Sequence, residues 1–299
     1  MHGPVLIVGA DSQIGAALET ALHQSGRPVI GTTRRNRAAE NRLHLDLSKA
    51  PDRWQLPENC AVTYLLAGIT SLAQCEAEPE LTRRINVEHT LALANTMAAR
   101  GSHVVFVSTN LVLSGTMPAA PTTAPIEPQC AYAQQKADVE RELLGYGISA
   151  SVLRITKLAE TLTSLLSNWA KDLSAGRSIA PFSDLVCAPL ASDDLITAML
   201  RLGEARKTGI FHIGARPDVS YDEIARRLAK ALGAAPDLVR PITSTDAGVT
   251  LLAKPRFTTL ETSSTEALLG LAPLHSDGAI DAAIDNVLRA ISDHTDRGN

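Results

Sequence analysis

The sequence predicts an α/β protein whose core is a doubly wound parallel sheet, and two observations lead to this prediction. Short apolar runs that suit buried strands alternate with helical stretches six times over about 155 residues. The first run, Val5–Val8, is apolar at every position, as is usual for strands that helices cover on both faces. After about residue 156 the alternation becomes irregular, which predicts a smaller C-terminal substrate lobe.

The first strand leads into a glycine-containing turn and then a helix from about Gln13 to Ser25. Unpaired amides in the first helical turn and the positive end of the helix dipole favour a phosphate there. The spacing is Gly9-x-x-Ser12-x-x-Gly15, in which Ser12 narrows the approach of a pyrophosphate but offers it a hydroxyl. A purely structural turn is the alternative. The residues of this turn that are expected to bind the cofactor are Gly9, Asp11, Ser12, Gln13 and Ile14.

The second predicted strand, 28–33, ends where a Rossmann-type fold places the adenosine ribose of a dinucleotide. Thr32 and Thr33 occupy the place of the aspartate that would bind the 2′-hydroxyl of NAD, and Arg34 and Arg35 follow, with Arg37 nearby. Arginine suits the 2′-phosphate of NADP, so NADP is the expected cofactor, with NAD possible. A solvated basic loop is the alternative interpretation.

The remaining elements follow the same pattern. Further strands are expected at 43–45, 62–66, 103–107, 151–155, 209–213 and 239–243, and helices near 81–99, 131–144, 162–175, 193–204, 220–232 and 277–292. We expect residues 1–156 to form the NAD(P)-binding domain, with segments near 189–214 returning to its sheet. Residues 157–188 and 215–299 would form the substrate-binding lobe.

Composition excludes several classes of function. The 299 residues are 45% hydrophobic and carry a formal net charge of −4, so no basic field points to nucleic acid or to an anionic membrane. No apolar run approaches the ~20 residues of a membrane span, and a strand beginning at Val5 leaves no room for a signal peptide. The four cysteines are scattered, so we expect reduced thiols, no metal site and a cytoplasmic location.

Three residues suggest redox chemistry. Tyr132 and Lys136 are spaced i, i+4 on a predicted helix, so their side chains leave the same face, and Thr109 lies 23 residues earlier, just beyond the fifth strand. A lysine ammonium would lower the pKa of the phenol, which could then exchange a proton with a substrate oxygen while hydride moves to or from the neighbouring carbon. Thr109 would hydrogen-bond the same oxygen.

The chain resembles the extended short-chain dehydrogenases/reductases, and within them the dTDP-4-dehydrorhamnose reductase family. The resemblance rests on Gly9–Gly15, on Ser108–Gly115 (STNLVLSG, against a family pattern close to STDYVFDG), on Tyr132–Lys136 (YAQQK), on Leu153-Arg154 and on 254–262 (KPRFTTLET). It implies hydride transfer from a nicotinamide to C4 of a nucleotide-linked 4-keto-6-deoxy sugar. It also implies Thr109, Tyr132 and Lys136 as catalytic residues, with Tyr132 the proton donor, and cofactor contacts from Asp46, Leu47, Ala67, Gly68, Tyr132 and Lys136.

The substrate end departs from the family pattern. Asn110 and Leu111 replace an Asp-Tyr pair, and Leu113 replaces an aromatic residue. Cations for a nucleotide diphosphate would have to come from the second lobe. The candidates are Lys157, Arg177, Lys254 and Arg256, each of which could equally be an exposed cation without a ligand.

Two other functions stay open. One is a sugar-nucleotide epimerase or dehydratase of the same extended family, although dehydratases usually carry an acidic residue beside the threonine, where this chain has Asn110. The other is a non-catalytic, NADP-binding regulatory subunit. The expected partner is a small-molecule substrate, a sugar nucleotide above all, with no nucleic acid and no membrane, and a homodimer stays open.

Overall fold

The protein is described by a computed structural model that covers residues 3–35, 42–145 and 147–296. The strands are β1 (Val5–Val8), β2 (Val29–Thr33), β3 (Arg42–His44), β4 (Val62–Leu65), β5 (His103–Thr109), β6 (Ala150–Ile155), β7 (Val186–Cys187), β8 (Gly209–Ile213) and β9 (Val219–Ser220). The helices are α1 (Gln13–Gln24), α2 (Leu72–Ala77), α3 (Pro79–Arg83), α4 (Thr90–Ala99), α5 (Ala131–Gly145), α6 (Thr163–Ser174), α7 (Ser192–Ala205), α8 (Tyr221–Ala231), α9 (Ser263–Leu269) and α10 (Ser276–Asp296).

Seven strands form one parallel sheet in the order β3-β2-β1-β4-β5-β6-β8. The direction of winding reverses between β1 and β4, and in open α/β sheets a ligand binds in the crevice at this switch point, outside the carboxyl ends of the strands. The predicted doubly wound parallel sheet is therefore confirmed.

Helices cover both faces of the sheet, which explains why its central strands are apolar throughout. On one face Leu18 of α1 and Met199 of α7 pack against residues such as Ile7. On the other face Leu93 of α4 and Val139 of α5 pack around Leu6, Val104 and Phe106. Burying each such side chain stabilises the fold by roughly 1.5–3 kcal/mol, so the sheet is fixed between two apolar layers.

A separate apolar cluster lies in the C-terminal half. It is built from α6, α8 and α10 and includes Leu166, Leu228 and Ile280. The antiparallel pair β7 and β9 lies beside it, and Cys187 and Val219 of these strands join the cluster. The division into a cofactor domain and a substrate lobe at the boundaries given above stays a prediction.

The predicted strand at 239–243 is wrong. Val239 and Ile242 make only isolated parallel bridges, to Ile179 and Phe182 respectively. Pro181 and Pro241 lie between the bridged residues, and because proline has no backbone N–H it interrupts a hydrogen-bonded ladder. The predicted helix 81–99 is also less regular than expected, since residues Arg84–His89 form a π-helical segment between α3 and α4. No pattern in the sequence predicted α2, α9, β7 or β9.

The four cysteines are free and buried, as expected. Within residues 3–35, 42–145 and 147–296, no group of side chains is arranged to hold a metal ion. None of the described helices is both long enough and apolar enough to span a membrane.

A buried ion pair joins α5 to the sheet. Arg154 of β6 donates to both oxygens of Glu140 on α5, with 2.6 Å between Nη2 and Oε2, and both side chains are 1% exposed. The hydroxyl of Ser108, on β5, donates to the same carboxylate. Nη1 of Arg154 lies 3.5 Å from Nε2 of His212 on β8. One carboxylate therefore links a helix to two strands directly and to a third through the arginine.

Removing this carboxylate should be costly because Arg154 would remain buried without its counter-ion. We expect Glu140→Ala to lower the free energy of unfolding by about 3–5 kcal/mol, measured by urea denaturation. The control is Glu142→Ala on the same helix, for which the structure shows no ion pair among the described residues. Equal losses of unfolding free energy in the two variants would show that the ion pair between Arg154 and Glu140 does not stabilise the fold.

Candidate active site

A cleft of about 770 Å³ opens at the carboxyl ends of β1, β4, β5 and β6. Five of the residues predicted from the sequence line it: Ser12, Ile14, Thr109, Tyr132 and Lys136. Many of its other lining residues are apolar, and they come from both halves of the chain: Leu65, Leu66, Leu72, Leu111, Ile155, Leu158, Leu185, Leu195, Leu251 and Leu252. The fold thus brings the predicted catalytic residues and the start of α1 to one cavity.

The loop after β1 is shaped by close backbone contacts. Gly9 has a φ of +97°, and a Cβ atom on it would lie 2.8 Å from the amide nitrogen of Ala67. A Cβ on Gly15 would lie 2.3 Å from the carbonyl oxygen of Gly9. Both positions therefore exclude a side chain. Ala67 continues the contact by donating its N–H to the carbonyl of Val8 at 2.9 Å.

Ser12 is the N-cap of α1. Its Oγ accepts from the amide of Gly15 at 3.0 Å and donates to the carbonyl of Gly9 at 2.8 Å. The Ser12 hydroxyl therefore makes its hydrogen bonds inside the loop, whereas the sequence suggested that it could donate to a pyrophosphate. The serine stabilises the turn by this capping bond.

The three predicted catalytic residues lie on β5 and α5. Thr109 ends β5 and accepts the amide of Leu111 at 3.2 Å. Tyr132 lies in the first turn of α5, and Nζ of Lys136 is 5.9 Å from the centre of its ring. Lys136 donates to the carbonyl of Val107 at 2.8 Å, and its Nζ lies over the ring of Phe106 at 4.4 Å.

Desolvation controls the ionisation of this pair. It raises the pKa of the Tyr132 phenol well above its ordinary value, and it lowers the pKa of Lys136 to about 8. The expected lowering of the tyrosine pKa by Lys136 is not seen: burial, and to a smaller extent the thiols of Cys75 and Cys130, raise this pKa. At neutral pH the phenol keeps its proton.

A buried amide cluster, which the sequence did not indicate, orients α5. Asn86 in the π-helical segment accepts the amide of Ile69 at 2.7 Å, donates to the carbonyl of that residue at 2.8 Å and donates to Gln135 at 2.8 Å. Gln135 in turn donates to Thr82. Asn86 thereby connects the backbone of Ile69 to the side chain of Gln135 on α5. Glu76 of α2 accepts the amide of Ala131, the first residue of α5.

The adenosine end of the predicted cofactor site is arranged around the end of β2. Arg34 and Arg35 are exposed, and the amide of Arg35 donates to Oγ1 of Thr33 at 3.1 Å. The hydroxyl of Thr33 donates to Oδ2 of Asp11 at 2.6 Å. Arg37 lies outside the described residues.

In the loop after β3 and the segment after β4, the predicted cofactor residues make contacts with neighbouring parts of the protein. Asp46 accepts the amide of Ser48 at 2.8 Å, and the carbonyl of the buried Leu47 lies 2.6 Å from Nδ1 of His89. A Cβ on Gly68 would lie 3.1 Å from Oδ1 of Asn86. These contacts fix the loops beside the switch point, while contact of Asp46, Leu47, Ala67 and Gly68 with a cofactor stays a prediction.

Of the four cations considered for a diphosphate, Lys157 lines the cleft. Arg177 pairs with Asp172 at 2.7 Å, Lys254 pairs with Asp184, and Arg256 lies over the ring of Phe257 at 5.3 Å. Asn110 donates to the carbonyl of Thr258 at 3.1 Å and thereby ties the end of β5 to the C-terminal half. Leu111 faces the cleft.

Several cleft residues were not singled out in the sequence: Thr70, Leu72, Ala73, Thr156, Thr161, Leu185, Val186, Leu195, Tyr221 and residues 250–253. They lie on α2, on β7, at the starts of helices and in irregular segments, where no periodic pattern marks a residue as part of a site. Only the packing of the two halves of the chain brings them together.

Comparisons with known proteins agree with this arrangement. A family model described as RmlD substrate binding domain matches residues 1–289. The dTDP-4-dehydrorhamnose reductase of Aggregatibacter actinomycetemcomitans is 26% identical over 288 residues, which are 90% of this chain and 94% of that protein. Methionine adenosyltransferase 2 subunit beta of Rattus norvegicus is 26% identical over 282 residues, 88% of this chain and 82% of that protein.

Solved structures with low sequence identity share the fold. A dTDP-4-dehydrorhamnose reductase from Bacillus anthracis in complex with NADP superposes with a TM-score of 0.78 at 17% identity and covers 97% of this chain and 100% of its own. MoeE5 in complex with UDP-glucose and NAD gives a TM-score of 0.77 at 20% identity, with the same shares covered.

The close packing of Gly15 against Gly9 can be tested directly. We expect Gly15→Ala to distort the loop, lowering the free energy of unfolding by about 1–3 kcal/mol and weakening dinucleotide binding at least tenfold. The control is Gly278→Ala in α10, where a Cβ would meet nothing within 4 Å. Thermal unfolding and cofactor titration measure both effects, and a Gly15→Ala variant that binds like the control would contradict the packing argument.

Proposed function

We propose that this chain, which belongs to the RmlD substrate binding domain family, reduces the C4 carbonyl of a nucleotide-linked 4-keto-6-deoxy sugar with NADPH. It is an NAD(P)-dependent oxidoreductase of the extended short-chain dehydrogenase/reductase type. The observation that carries the proposal is the convergence of Thr109, Tyr132 and Lys136 on one cleft at the carboxyl edge of a doubly wound sheet.

The loop between β1 and α1 fits a dinucleotide. Gly9 and Gly15 let the backbone of this loop pack closely against Ala67 and against α1, and the first turn of α1 presents amides beside the cleft. Under this proposal the cofactor contacts are made by Gly9, Asp11, Ser12, Gln13, Ile14, Arg34, Arg35, Asp46, Leu47, Ala67, Gly68, Tyr132 and Lys136. A bound nicotinamide supplies the hydride, with NADP as the preferred cofactor and NAD as an alternative.

Tyr132 acts as the proton donor. Because desolvation raises the pKa of its phenol, the proton is present at neutral pH and can pass to the oxygen of a carbonyl that is being reduced. Thr109 donates a second hydrogen bond to that oxygen. Lys136, protonated below pH 8, stabilises the phenolate left behind through its charge.

A sugar nucleotide suits the cleft in size and in its mixed lining. Lys157 offers a positive charge for a diphosphate, and Thr70, Thr161 and Tyr221 offer hydroxyls to a sugar. The name of the Aggregatibacter relative supports this substrate class. A sugar-nucleotide epimerase or dehydratase is the neighbouring alternative. A cytoplasmic location and a homodimer remain predictions.

A non-catalytic regulatory subunit is the second candidate. It is favoured by the matches to methionine adenosyltransferase 2 subunit beta, one of which covers 88% of this chain. Under this alternative the cleft would bind NADP without turning over a substrate. Turnover therefore separates the two candidates.

The experiment is to mix the protein with NADPH and a panel of 4-keto-6-deoxy sugar nucleotides and to follow nicotinamide absorbance. We expect consumption with at least one member, and a loss of at least a thousandfold in kcat for Tyr132→Phe with NADPH affinity within a few-fold of wild type. Tight NADPH binding with no consumption across the panel would favour the regulatory candidate. Near-normal kcat in Tyr132→Phe would remove the phenol from the mechanism.

The pKa of Lys136 predicts a pH dependence. The ammonium is protonated below pH 8 and neutral above it, so kcat should be level in the neutral range and fall as pH rises through about 8. Lys136→Arg keeps the charge at alkaline pH, so in this variant the residual kcat should show no fall in that range. The same alkaline fall in both proteins would assign it to another group.

A further inference from the structure

An acidic group that does not come from β2 lies at the end of that strand, where the adenosine ribose of the proposed cofactor would bind. Dinucleotide folds commonly place an Asp or Glu at the end of the second strand, where its carboxylate accepts the ribose 2′-hydroxyl. Here that strand ends in Thr33, whose hydroxyl donates to Oδ2 of Asp11 at 2.6 Å. Asp11 belongs to the loop between β1 and α1, so the carboxylate reaches the end of β2 from the neighbouring strand.

Two arginine side chains flank the carboxylate of Asp11. Oδ2 lies 3.9 Å from Nε of Arg35, and Oδ1 lies 3.8 Å from Nη1 of Arg42. Neither arginine is within hydrogen-bond distance. The other Nη atom of Arg42 is bonded to Glu19 at 2.5 Å, which fixes the guanidinium against α1. Nη1 of Arg42 is buried and has no hydrogen-bond partner among the described residues.

We propose that Asp11 takes the role of the missing strand-end aspartate: it accepts the 2′-hydroxyl of NADH and opposes the 2′-phosphate of NADPH. This inference rests on the proposed cofactor site. Thr33 orients the carboxylate, which leaves the other oxygen, Oδ1, directed away from the threonine and able to accept a ribose hydroxyl. The preference between the two cofactors then depends on Asp11, which favours NADH, and on Arg34 and Arg35, which favour NADPH.

The balance of charge would allow both cofactors to bind. Arg34 and Arg35 attract a 2′-phosphate, but Asp11 lies beside Arg35 and repels the same group. The carboxylate also gives NADH a charge-assisted hydrogen bond that compensates for the phosphate it lacks. Removing the negative charge should therefore move the two affinities in opposite directions, which a purely structural role of Asp11 would not do.

The test is Asp11→Asn, with NADH and NADPH each titrated by nicotinamide fluorescence in the absence of substrate. The carbonyl of the asparagine can still accept from Thr33, so the loop keeps its bond, but the remaining amide group is a donor. We expect NADH to bind about tenfold more weakly and NADPH about fivefold more tightly. Asp237→Asn, an exposed position in the C-terminal half, is the control for net charge and should change neither affinity.

A second variant separates the effect of the Asp11 charge from a local distortion of the loop. Thr33→Val removes the bond that orients Asp11 and leaves its charge in place, so NADH affinity should fall about threefold to tenfold without the gain for NADPH. Equal shifts for both cofactors in Asp11→Asn, or no shift, would overturn the inference while the proposed function stands. Failure of the unmodified protein to bind either cofactor would overturn the proposed function and the inference together.

Discussion

The geometry of the site depends on the ion pair between Arg154 and Glu140. The two groups are buried, so the pair is stable only while its hydrogen bonds remain well formed. Glu140 is two helical turns beyond Tyr132 and one beyond Lys136, and it is bonded to Ser108, the neighbour of Thr109. The contacts that neutralise the buried charge therefore also set the distance between the helix that carries Tyr132 and the strand that carries Thr109.

The sequence predicted the elements whose signals are local. Apolar runs identified the strands of the main sheet, and the i, i+4 spacing of Tyr132 and Lys136 identified one face of α5, because both patterns follow directly from backbone periodicity. The segment 239–243 has a strand-like composition. It lies beside residues 179–182 in the folded chain, however, and Pro181 and Pro241 interrupt the pairing there, which local composition does not reveal. Within the π-helical segment, Asn86 contacts Ile69 and Gln135, which are distant from it in sequence, so a local pattern does not reveal these contacts.

The candidate site was predictable in its residue types and less so in its electrostatics. Thr109, Tyr132 and Lys136 line one cleft, as the order of strands implied. The ionisation of Tyr132 was not predictable, because desolvation depends on how much water the folded chain excludes from the phenol. The link between Asp11 and Thr33 joins residues 22 positions apart, one in the loop after β1 and the other at the end of β2, and it depends on the pairing of these two strands.

The residues that line the cleft belong to structurally different parts of the chain. Thr109, Tyr132 and Lys136 belong to the main sheet and to a helix packed on it, whereas residues 250–253 are irregular and Val186 and Cys187 belong to a separate two-stranded ribbon. Substitutions in these outer segments change the wall of the cavity without altering any strand pairing of the main sheet. Residues 250–253, which belong to no helix or strand, can therefore vary between related chains while the main sheet keeps Thr109, Tyr132 and Lys136 in the same positions.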